Sequence, residues 1–408
     1  MEWKEVRLGD VCDLIAGFAF KAKDFGEFPT KVIKIGDIKP PFVDYVGQVG
    51  VDISNYDINR LSKYTVKYGD YVLAMTGATI GKVGKYISEN FSYINQRVLK
   101  FSPKQNVDAD FINYIICSNI FAKYVVNFVD SESAQPNISA PTISKFAFQI
   151  PSEKDDQHRI ASILSSLDRK IELNNKINTD LEEMAQAIFK NWFVDFEPFK
   201  DGKFVDSELG MIPEGWKVGC LGDMGTIVCG KTPSKANSNY YGGDIPFIKI
   251  PDMHGNVFVE SSEDRLTEHG SLSQIKKLIP PYSLMVSCIA TVGLVSINTK
   301  PSHTNQQINT IIPHNKSALF YLYQYIKNNE ELLKNMGRGG TTTLNVNTKS
   351  FSNIRLFIPS DIALLQFHQI VEGLFKKIEL NMQESRTLSL LRDTLLPRLM
   401  SGDLEVPE

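Results

Sequence analysis

Two short stretches of the sequence contain residue types used in phosphate chemistry. The first lacks the spacing and the hydroxyl residue of a phosphate-binding loop, and the second lacks the residues that would hold a metal ion. GATIGKVG, residues 77–84, has three residues between Gly77 and Gly81 where a phosphate-binding P-loop has four, and Val83 follows the lysine in place of Ser or Thr. IPD, residues 250–252, could open a metal-dependent nuclease motif, but the following VESSEDR offers no acidic-x-Lys strand to hold the metal. No Asn/Asp-Pro-Pro-aromatic segment is present for a flipped adenine. The sequence therefore predicts a protein that binds and does not catalyse.

The cysteines and histidines are not spaced like metal ligands. The five cysteines form no C-x-x-C pair and the six histidines never fall four residues apart, so we expect neither a zinc site nor a disulfide framework. The N-terminus is charged from its second residue, and the most apolar stretch, NYIICSNIFAKYVVNFV, is interrupted by Asn119, Lys123 and Asn127. We therefore expect no signal peptide and no membrane span, and a cytoplasmic location.

The second half of the chain repeats the first at an offset of 207 to 215 residues. Five short matches and one pair of helical segments keep the same order in both halves, which indicates a tandem duplication. The matches are WKEVRLGD (3–10) with WKVGCLGD (216–223), KIGDI (34–38) with KIPDM (249–253), ATIG (78–81) with ATVG (290–293), NQRV (95–98) with NQQI (305–308), and FQIPS (148–152) with LFIPS (356–360).

Each repeat consists of a mixed segment followed by a long helix. Strand-like runs such as KVIKIGDI, DYVLAMTG and RVLKF, separated by turn residues and joined by one helical stretch, predict an α+β domain in each mixed segment. The predicted boundaries are 1–152 for the first domain, 153–195 for the first helix, 196–212 for a linker, 213–360 for the second domain, 361–400 for the second helix and 401–408 for a tail.

An apolar stripe with coiled-coil spacing runs along each helix and is interrupted near its middle by asparagine. Asn174 and Asn178 interrupt the first stripe, and Asn381 and Ser385 interrupt the second. If the two repeats pack with pseudo-two-fold symmetry, the helices must run antiparallel, and Asn174 then meets Asn381 as a polar pair that fixes the register. The alternative is two surface helices that pack separately on their own domains, with asparagine at a solvated edge.

Paired helices of this length would hold the two domains apart by roughly 55 Å, which suits a target with two separated features along DNA. Further apolar residues lie off the stripe and need cover from the domains or from a partner protein. They are Ile163, Ile177, Met184, Phe189 and Phe193 in the first helix and Ile370, Phe375, Leu390 and Leu396 in the second.

Charged residues are distributed differently between the mixed segments and the rest of the chain. The chain has a net charge of −3, yet both mixed segments are slightly basic and the acidic residues are concentrated on the helices, linker and tail. Acidity therefore collects away from the domains that would meet a polyanion.

Several stretches together resemble the specificity (S) subunits of Type I restriction-modification systems, and the resemblance covers essentially the whole chain. They are VIKIGDI, GDYVLAMTGATIGKVG, SAQPNIS, the segment from DQHRIASILSS to NWFVDFEPF, GMIPEGW and LLRDTLLPRLMSGDLEV. The resemblance implies two target-recognition domains that read the halves of a bipartite DNA site, joined by paired antiparallel helices. It also implies docking of methyltransferase (M) subunits, which use S-adenosylmethionine, and of restriction (R) subunits, which use ATP and Mg, so that no cofactor is expected in this chain.

Two domains that read different half-sites should share a scaffold and differ where they touch base edges. The candidates for base contacts therefore lie in divergent loops: Lys21, Lys23, Gln135 and Asn137 in the first domain, and Lys231, Lys235, Asn237, Asn239, Tyr240, Arg338, Thr341 and Thr342 in the second. The candidates for phosphate contacts are Lys82, Lys85 and Arg97. For each of these the alternative is a solvated loop side chain.

Two other functions fit the same sequence features. The chain could be the recognition subunit of another multi-subunit restriction enzyme, or a scaffold that uses two α+β modules and a coiled coil to organise proteins without binding DNA. A steep loss of duplex binding with salt would separate DNA binders from such a scaffold.

Overall fold

The computed structural model describes residues 1–129, 136–338, 344–404 and 406. Its contacts divide into two units, one made of Met1–Ile171 with Thr387–Glu408 and the other of Glu172–Arg386. The prediction of two tandem α+β domains with two long helices is confirmed. Among the described residues, no helix is both long enough and apolar enough to cross a membrane.

The first domain is built from strands and short helices that precede one long helix. Its strands are β1 (Trp3–Arg7), β2 (Cys12–Ala16), β3 (Phe25–Ile33), β4 (Ile38–Lys39), β5 (Phe42–Val43), β6 (Val49–Val51), β7 (Thr65–Val66), β8 (Tyr71–Ala74), β9 (Val83–Lys85), β10 (Ser92–Ile94), β11 (Val98–Pro103) and β12 (Ala147–Pro151). Its helices are α1 (Leu8–Val11), α2 (Ile58–Leu61), α3 (Ala109–Ile116), α4 (Asn119–Asn127), α5 (Ala140–Ile143) and the long α6 (Lys154–Phe193).

The second domain follows the same plan. Its strands are β13 (Phe204–Val205), β14 (Ile212–Pro213), β15 (Lys217–Cys220), β16 (Gly225–Cys229), β17 (Tyr241–Ile248), β18 (Phe258–Val259), β19 (Arg265–Leu266), β20 (Leu284–Ser287), β21 (Val295–Asn298), β22 (His303–Thr304), β23 (Ile308–Pro313) and β24 (Arg355–Ile358). Its helices are α7 (Leu221–Met224), α8 (Ile250–Met253), α9 (Glu268–Leu272), α10 (Leu319–Asn328), α11 (Glu330–Gly337), α12 (Thr348–Ser352) and the long α13 (Asp361–Ser401).

The large sheets of the two domains share the order of five strands, and the first domain adds β4 at one edge. The first contains a sheet in the order β2-β11-β8-β9-β5-β4, and the second contains one in the order β16-β23-β20-β21-β18. A parallel pair, β3 with β10 or β17 with β22, belongs to a second sheet in each domain. An antiparallel ribbon, β1 with β12 or β15 with β24, comes directly before the long helix. The duplication seen in the sequence is thus also a duplication of topology.

Each predicted helical stretch inside a domain is two helices in the structure. In the first domain α3 ends at Ile116 and α4 begins at Asn119, because the Ser118 hydroxyl accepts a hydrogen bond from the Phe121 amide and caps a new helix (3.3 Å). In the second domain the break between α10 and α11 falls at Asn329. The sequence showed the apolar faces of these segments but not the break between them.

Both long helices contribute to the core of each unit. In the first unit, Ile160 and Leu164 of α6 are buried in the same cluster as Leu399 and Met400 of α13. In the second unit, Phe189 and Phe193 of α6 pack against Phe367 of α13, with ring centroids 6.3 and 4.9 Å apart. Within each unit, higher residue numbers on α6 meet lower numbers on α13, so the two helices run antiparallel there.

The off-stripe apolar residues divide into three groups, of which one, Ile163, Ile177 and Leu396, is half-buried. Phe189, Phe193 and Phe375 are buried in the core of the second unit. Met184, Ile370 and Leu390 are each about half exposed or more, at 52%, 47% and 63%. The domains therefore cover only part of the apolar surface that the sequence analysis identified.

Candidate nucleic-acid interface

Three neighbouring strands of the first domain open into loops at one end of its large sheet. There β2 ends at Ala16, paired with Leu99, and β8 ends at Ala74, paired with Val98 at the start of β11. We call this end of the sheet the loop edge. The long helix starts near the opposite end of β11, where the Lys154 ammonium donates to the Gln105 carbonyl (2.7 Å). The loop edge is therefore the end of the domain remote from the start of its long helix.

The second domain has an equivalent loop edge. Cys229 at the end of β16 pairs with Asn309, and Ser287 at the end of β20 pairs with Ile308 at the start of β23. Its long helix also starts beyond the far end of the central strand, where the Asn315 amide donates to Asp361 (2.9 Å).

Backbone hydrogen bonds fix the loops against one another in the first domain. The Gly17 amide donates to the Val98 carbonyl, the Phe18 amide to the Ile94 carbonyl, and the Met75 amide to the Arg97 carbonyl, each at 2.9 Å.

The equivalent bonds recur in the second domain. They run from Gly230 to Ile308 (3.1 Å), from Lys231 to Thr304 (2.9 Å) and from Cys288 to Gln307 (2.8 Å). The repeated motifs NQRV/NQQI and ATIG/ATVG therefore border the same junction in both domains.

Glycine is required where the chain leaves the first strand of each loop edge. A Cβ atom on Gly17 would lie 2.2 Å from the Asn95 carbonyl oxygen, and one on Gly230 would lie 2.2 Å from the Asn305 carbonyl oxygen. Both contacts are with backbone and cannot relax by a side-chain rotation. These glycines let the outgoing loop lie directly against the Asn-Gln turn.

A fourth segment joins each loop edge. In the first domain Thr76 pairs with Asn137, and the Ile138 amide donates to the Met75 carbonyl (3.0 Å). In the second domain Ile289 pairs with Asn345, and the Val346 amide donates to the Cys288 carbonyl (2.9 Å). Asn137 and Ile138 of SAQPNIS, and Asn345 and Val346 shortly after GRGGTTT, thus lie beside the ATIG and ATVG turns. Both stretches are predicted to contact bases.

The structure places most first-domain candidates on or beside the loop edge. Lys82 follows the ATIG turn and is exposed, as are Asn137 and Arg97. Lys21 and Lys23 are exposed in the segment that follows Gly17 and Phe18. Lys85 is different, because it pairs with Tyr71 at the other end of β8. Gln135 lies outside the described residues.

The second-domain candidates are more dispersed. Lys231 is exposed and directly follows Gly230 at the loop edge, and Lys235 is exposed four residues further on. Asn237, Asn239 and Tyr240 continue toward α9, where the Tyr240 ring lies 5.3 Å from the His269 ring.

Arg338 follows α11 and donates through Nη1 to the side chain of Asn335 (2.7 Å). It directly precedes the part of the loop that contains Thr341 and Thr342, both of which lie outside the described residues. Arg338 is exposed.

Exposed cations mark both loop edges, and a buried histidine near the second one, His303, is neutral at pH 7. Burial lowers the pKa of His303 to about 4, and its Nε2 is 2.8 Å from the Ser271 hydroxyl. His303 immediately precedes the strand residue Thr304 that supports the Asn-Gln turn. Positive charge near the second edge therefore comes from lysine and arginine rather than from this histidine.

Two exposed glutamines at the loop edges were not among the candidates. Gln96 and Gln306 occupy the same place in NQRV and NQQI, and both are exposed. Because both repeats share NQRV/NQQI, comparison of the repeats predicts a scaffold or phosphate-contact role for these motifs. A signal was nevertheless present, since an exposed polar side chain inside a shared structural turn can itself reach a ligand.

The asparagines of the long helices meet inside the second unit. The Asn381 amide donates to Asn178 Oδ1 (2.9 Å), while the Asn174 amide donates to Glu384 Oε2 (2.8 Å), to Ser385 Oγ (3.2 Å) and more weakly to the Asn381 carbonyl (3.4 Å). Asn174 and Asn381 are brought together as predicted, but the amide-to-amide bond is made by Asn178.

Within the described part of the chain, no group of three or more His, Cys, Asp or Glu side chains is placed to hold a metal ion. What the loop edges offer is exposed cations, amides and hydroxyls on a rigid sheet, a combination suited to phosphate and base-edge contacts.

Comparison with known proteins gives a family for the whole chain. The model of the Type I restriction modification DNA specificity domain matches residues 1–183 and 213–389. The chain is 35% identical to the specificity subunit of the Type I restriction enzyme HindI from Haemophilus influenzae, over 99% of this chain and 100% of that protein. It is 29% identical to the MjaIX specificity subunit from Methanocaldococcus jannaschii, over 83% of this chain and 78% of that protein.

Among solved structures, the chain is similar to the S subunit of a Type I restriction-modification system from M. genitalium. That similarity has a TM-score of 0.56 at 14% sequence identity and covers 98% of this chain and 96% of the other. At this level of identity it supports the fold alone.

Proposed function

Because this chain belongs to the family of Type I restriction-modification DNA specificity proteins, we propose that it is a non-catalytic specificity subunit whose two domains each read one half of a bipartite DNA site. One observation carries the proposal. The same loop edge is built twice on the same strand order, and the loops that leave it differ in sequence between the two copies.

Duplicated scaffolds with different loops are what two different half-sites require. Exposed lysine and arginine at each edge would contact phosphates, which position the protein but carry no sequence information. Asparagine, glutamine and arginine side chains in the loops would contact base edges, where each good bidentate pair discriminates by about 1–3 kcal/mol. Lys85 is a weaker candidate than Lys82 for a phosphate contact, because it pairs at the far end of β8.

The long helices support a second part of the proposal, the docking of methyltransferase and restriction subunits. Leu173 and Met184 of α6, and Ile370, Leu380 and Leu390 of α13, are exposed apolar side chains that a partner surface could cover. S-adenosylmethionine, ATP and Mg would then be bound by those partner subunits, with none required in this chain.

The decisive experiment is to map methylated adenines across the genome in cells with and without the gene. We expect one two-part motif to be methylated only when the gene is present. Methylation that is unchanged by deletion of the gene, or a motif without two parts, would contradict the proposal.

A binding experiment separates DNA recognition from a scaffold role. The full chain, isolated with its co-purifying subunits, should bind random duplex DNA. The logarithm of its affinity should fall linearly with the logarithm of the salt concentration. Lys231→Glu at the loop edge should weaken that binding and reduce the slope by about one. Lys203→Glu, an equally exposed lysine in the linker, is the matched control and should change neither. Equal effects of the two substitutions would mean that the loop edge is not the DNA surface.

A further inference from the structure

The turn that contains Gln306 is held rigid by its neighbours. Asn305 Oδ1 accepts from the Gln307 backbone amide (3.1 Å), and Asn305 Nδ2 donates to Gln307 Oε1 (2.9 Å). The Ile308 backbone amide closes the turn on the Asn305 carbonyl (3.2 Å). Asn305 itself is only 8% exposed, whereas Gln306 projects into solvent. Gln306 is thus an exposed side chain on a fixed backbone.

Thr232 fixes the side chain of Gln306 as well. The hydroxyl of Thr232 donates to Gln306 Oε1 at 2.7 Å. This bond is possible because Gly230 and Lys231 hold the outgoing loop against the turn through two backbone hydrogen bonds. This bond fixes the orientation of the Gln306 amide, with Oε1 on the side of Thr232 and with both hydrogens of the nitrogen available to a ligand.

The first domain lacks this restraint. The equivalent backbone bonds align Gly17 with Gly230 and Phe18 with Lys231, so Ala19 stands where the second domain has Thr232. Alanine has no hydroxyl to bind Gln96. The same glutamine therefore occupies the same turn in both domains. Among the described residues, Thr232 orients the second copy, whereas the equivalent residue of the first domain, Ala19, cannot make such a bond.

This difference has a consequence for base recognition, which rests on the proposed function. Glutamine recognises adenine by accepting from N6 with its oxygen while donating to N7. Guanine instead presents two acceptors, N7 and O6, to the major groove. We propose that Gln306 reads a guanine in the second half-site by donating its amide hydrogens, and that Thr232 is the positioning residue that holds the amide oxygen toward the outgoing loop.

The test compares sequence preferences of full-length variants isolated with their co-purifying subunits, using a library of randomised duplexes and sequencing of the bound fraction. The wild type should select guanine at one position of the second half-site. Thr232→Ala should raise acceptance of adenine at that position by about tenfold, and Thr232→Ser, which keeps the hydroxyl, should not. Gln306→Ala should abolish the preference there, and the first half-site should be unchanged in all variants.

The outcomes separate the two levels of the proposal. If the wild type selects a two-part motif but Thr232→Ala or Gln306→Ala leaves the second half unchanged, or alters both halves, the assignment of this pair is wrong while the proposed function stands. The assignment is also overturned if either substitution alters the preference at a position where the wild type selects a base other than guanine. If the wild type selects no motif, the proposed function fails first. Because Gln306 is exposed, loss of folding should not obscure the result.

Discussion

Removing Asn381 should destabilise the second unit more than removing Asn174, although the two residues are equally buried and sit in the same polar cluster. Asn381 is 1% exposed and Asn174 is 0% exposed. Asn381→Ala deletes the donor to Asn178 Oδ1 and leaves a carbonyl oxygen without a partner in a residue that is itself 8% exposed. An unsatisfied buried group of this kind costs about 1–3 kcal/mol, to which a small cavity adds.

Asn174→Ala should cost less, about 1 kcal/mol or below. Its main acceptor, Glu384, is exposed and can return to water. In addition, Asn174 Oδ1 is buried without a hydrogen-bond partner among the described residues, so the substitution also removes an unfavourable group. The expected order of destabilisation is therefore Asn381→Ala above Asn174→Ala.

Urea unfolding followed by tryptophan fluorescence measures this order. Trp192 and Trp216 lie in the second unit and Trp3 in the first, so a Trp3→Phe background restricts the signal to the unit of interest. Asn175→Ala is the matched control, because Asn175 is the exposed neighbour of Asn174 on the same helix. It should change stability by less than about 0.5 kcal/mol.

Replacing all three asparagines, Asn174, Asn178 and Asn381, by leucine tests whether the polar cluster itself is needed for stability. No buried amide is then left unpaired, so we expect equal or greater stability together with altered tolerance for the spacing between half-sites. The reasoning would be refuted if Asn381→Ala were no more harmful than Asn175→Ala, or if the triple variant failed to fold.

Three further predictions concern single residues. Arg338→Ala should relax specificity in one half-site only, by about 1–3 kcal/mol at one base pair; a methylation map with no change, or with changes in both halves, would exclude that role. His303→Gln should reduce the loss of folding stability in acid. The pKa of His303 is about 4 in the folded protein and about 6.5 in the unfolded chain, so protonation of this group should cost the wild type about 2 kcal/mol of stability between pH 8 and pH 5. An equal loss in the wild type and the variant would contradict this prediction. Tyr114→Phe should destabilise the first unit by about 1–2 kcal/mol in thermal melts, because the Tyr114 hydroxyl donates to Asp168 at 2.6 Å. Tyr68 is exposed, so Tyr68→Phe is the control and should not change stability. A similar effect of the two substitutions would argue against a stabilising Tyr114–Asp168 bond.

The stripes on the long helices could be predicted well because coiled-coil spacing is a local property of the sequence. Ile160, Leu164 and Leu364, which lie on these stripes in the sequence, are buried, and Asn174 contacts Asn381. Which asparagine bonds to which could not be predicted. That choice depends on the axial offset of α13 against α6, which places Asn381 opposite Asn178.

The loop edges were harder to predict, since they combine four segments that are far apart in sequence. The divergent loops were identified, but their meeting point depends on strand order, which a single sequence does not reveal. Comparison of the repeats does not single out Gln306, because a residue shared by both repeats is expected to belong to the scaffold. In the structure, Gln306 bonds to Thr232, whereas the equivalent residue beside Gln96 in the first domain is Ala19.

The placement of Leu399 and Met400 in the core of the first unit bears on how the protein is made. Residues 1–171 are synthesised before the segment that begins at Thr387, although both belong to one unit. Part of the apolar surface of residues 1–171 therefore stays uncovered until Leu399 and Met400 have been synthesised. A polypeptide truncated within the second domain would leave that surface exposed.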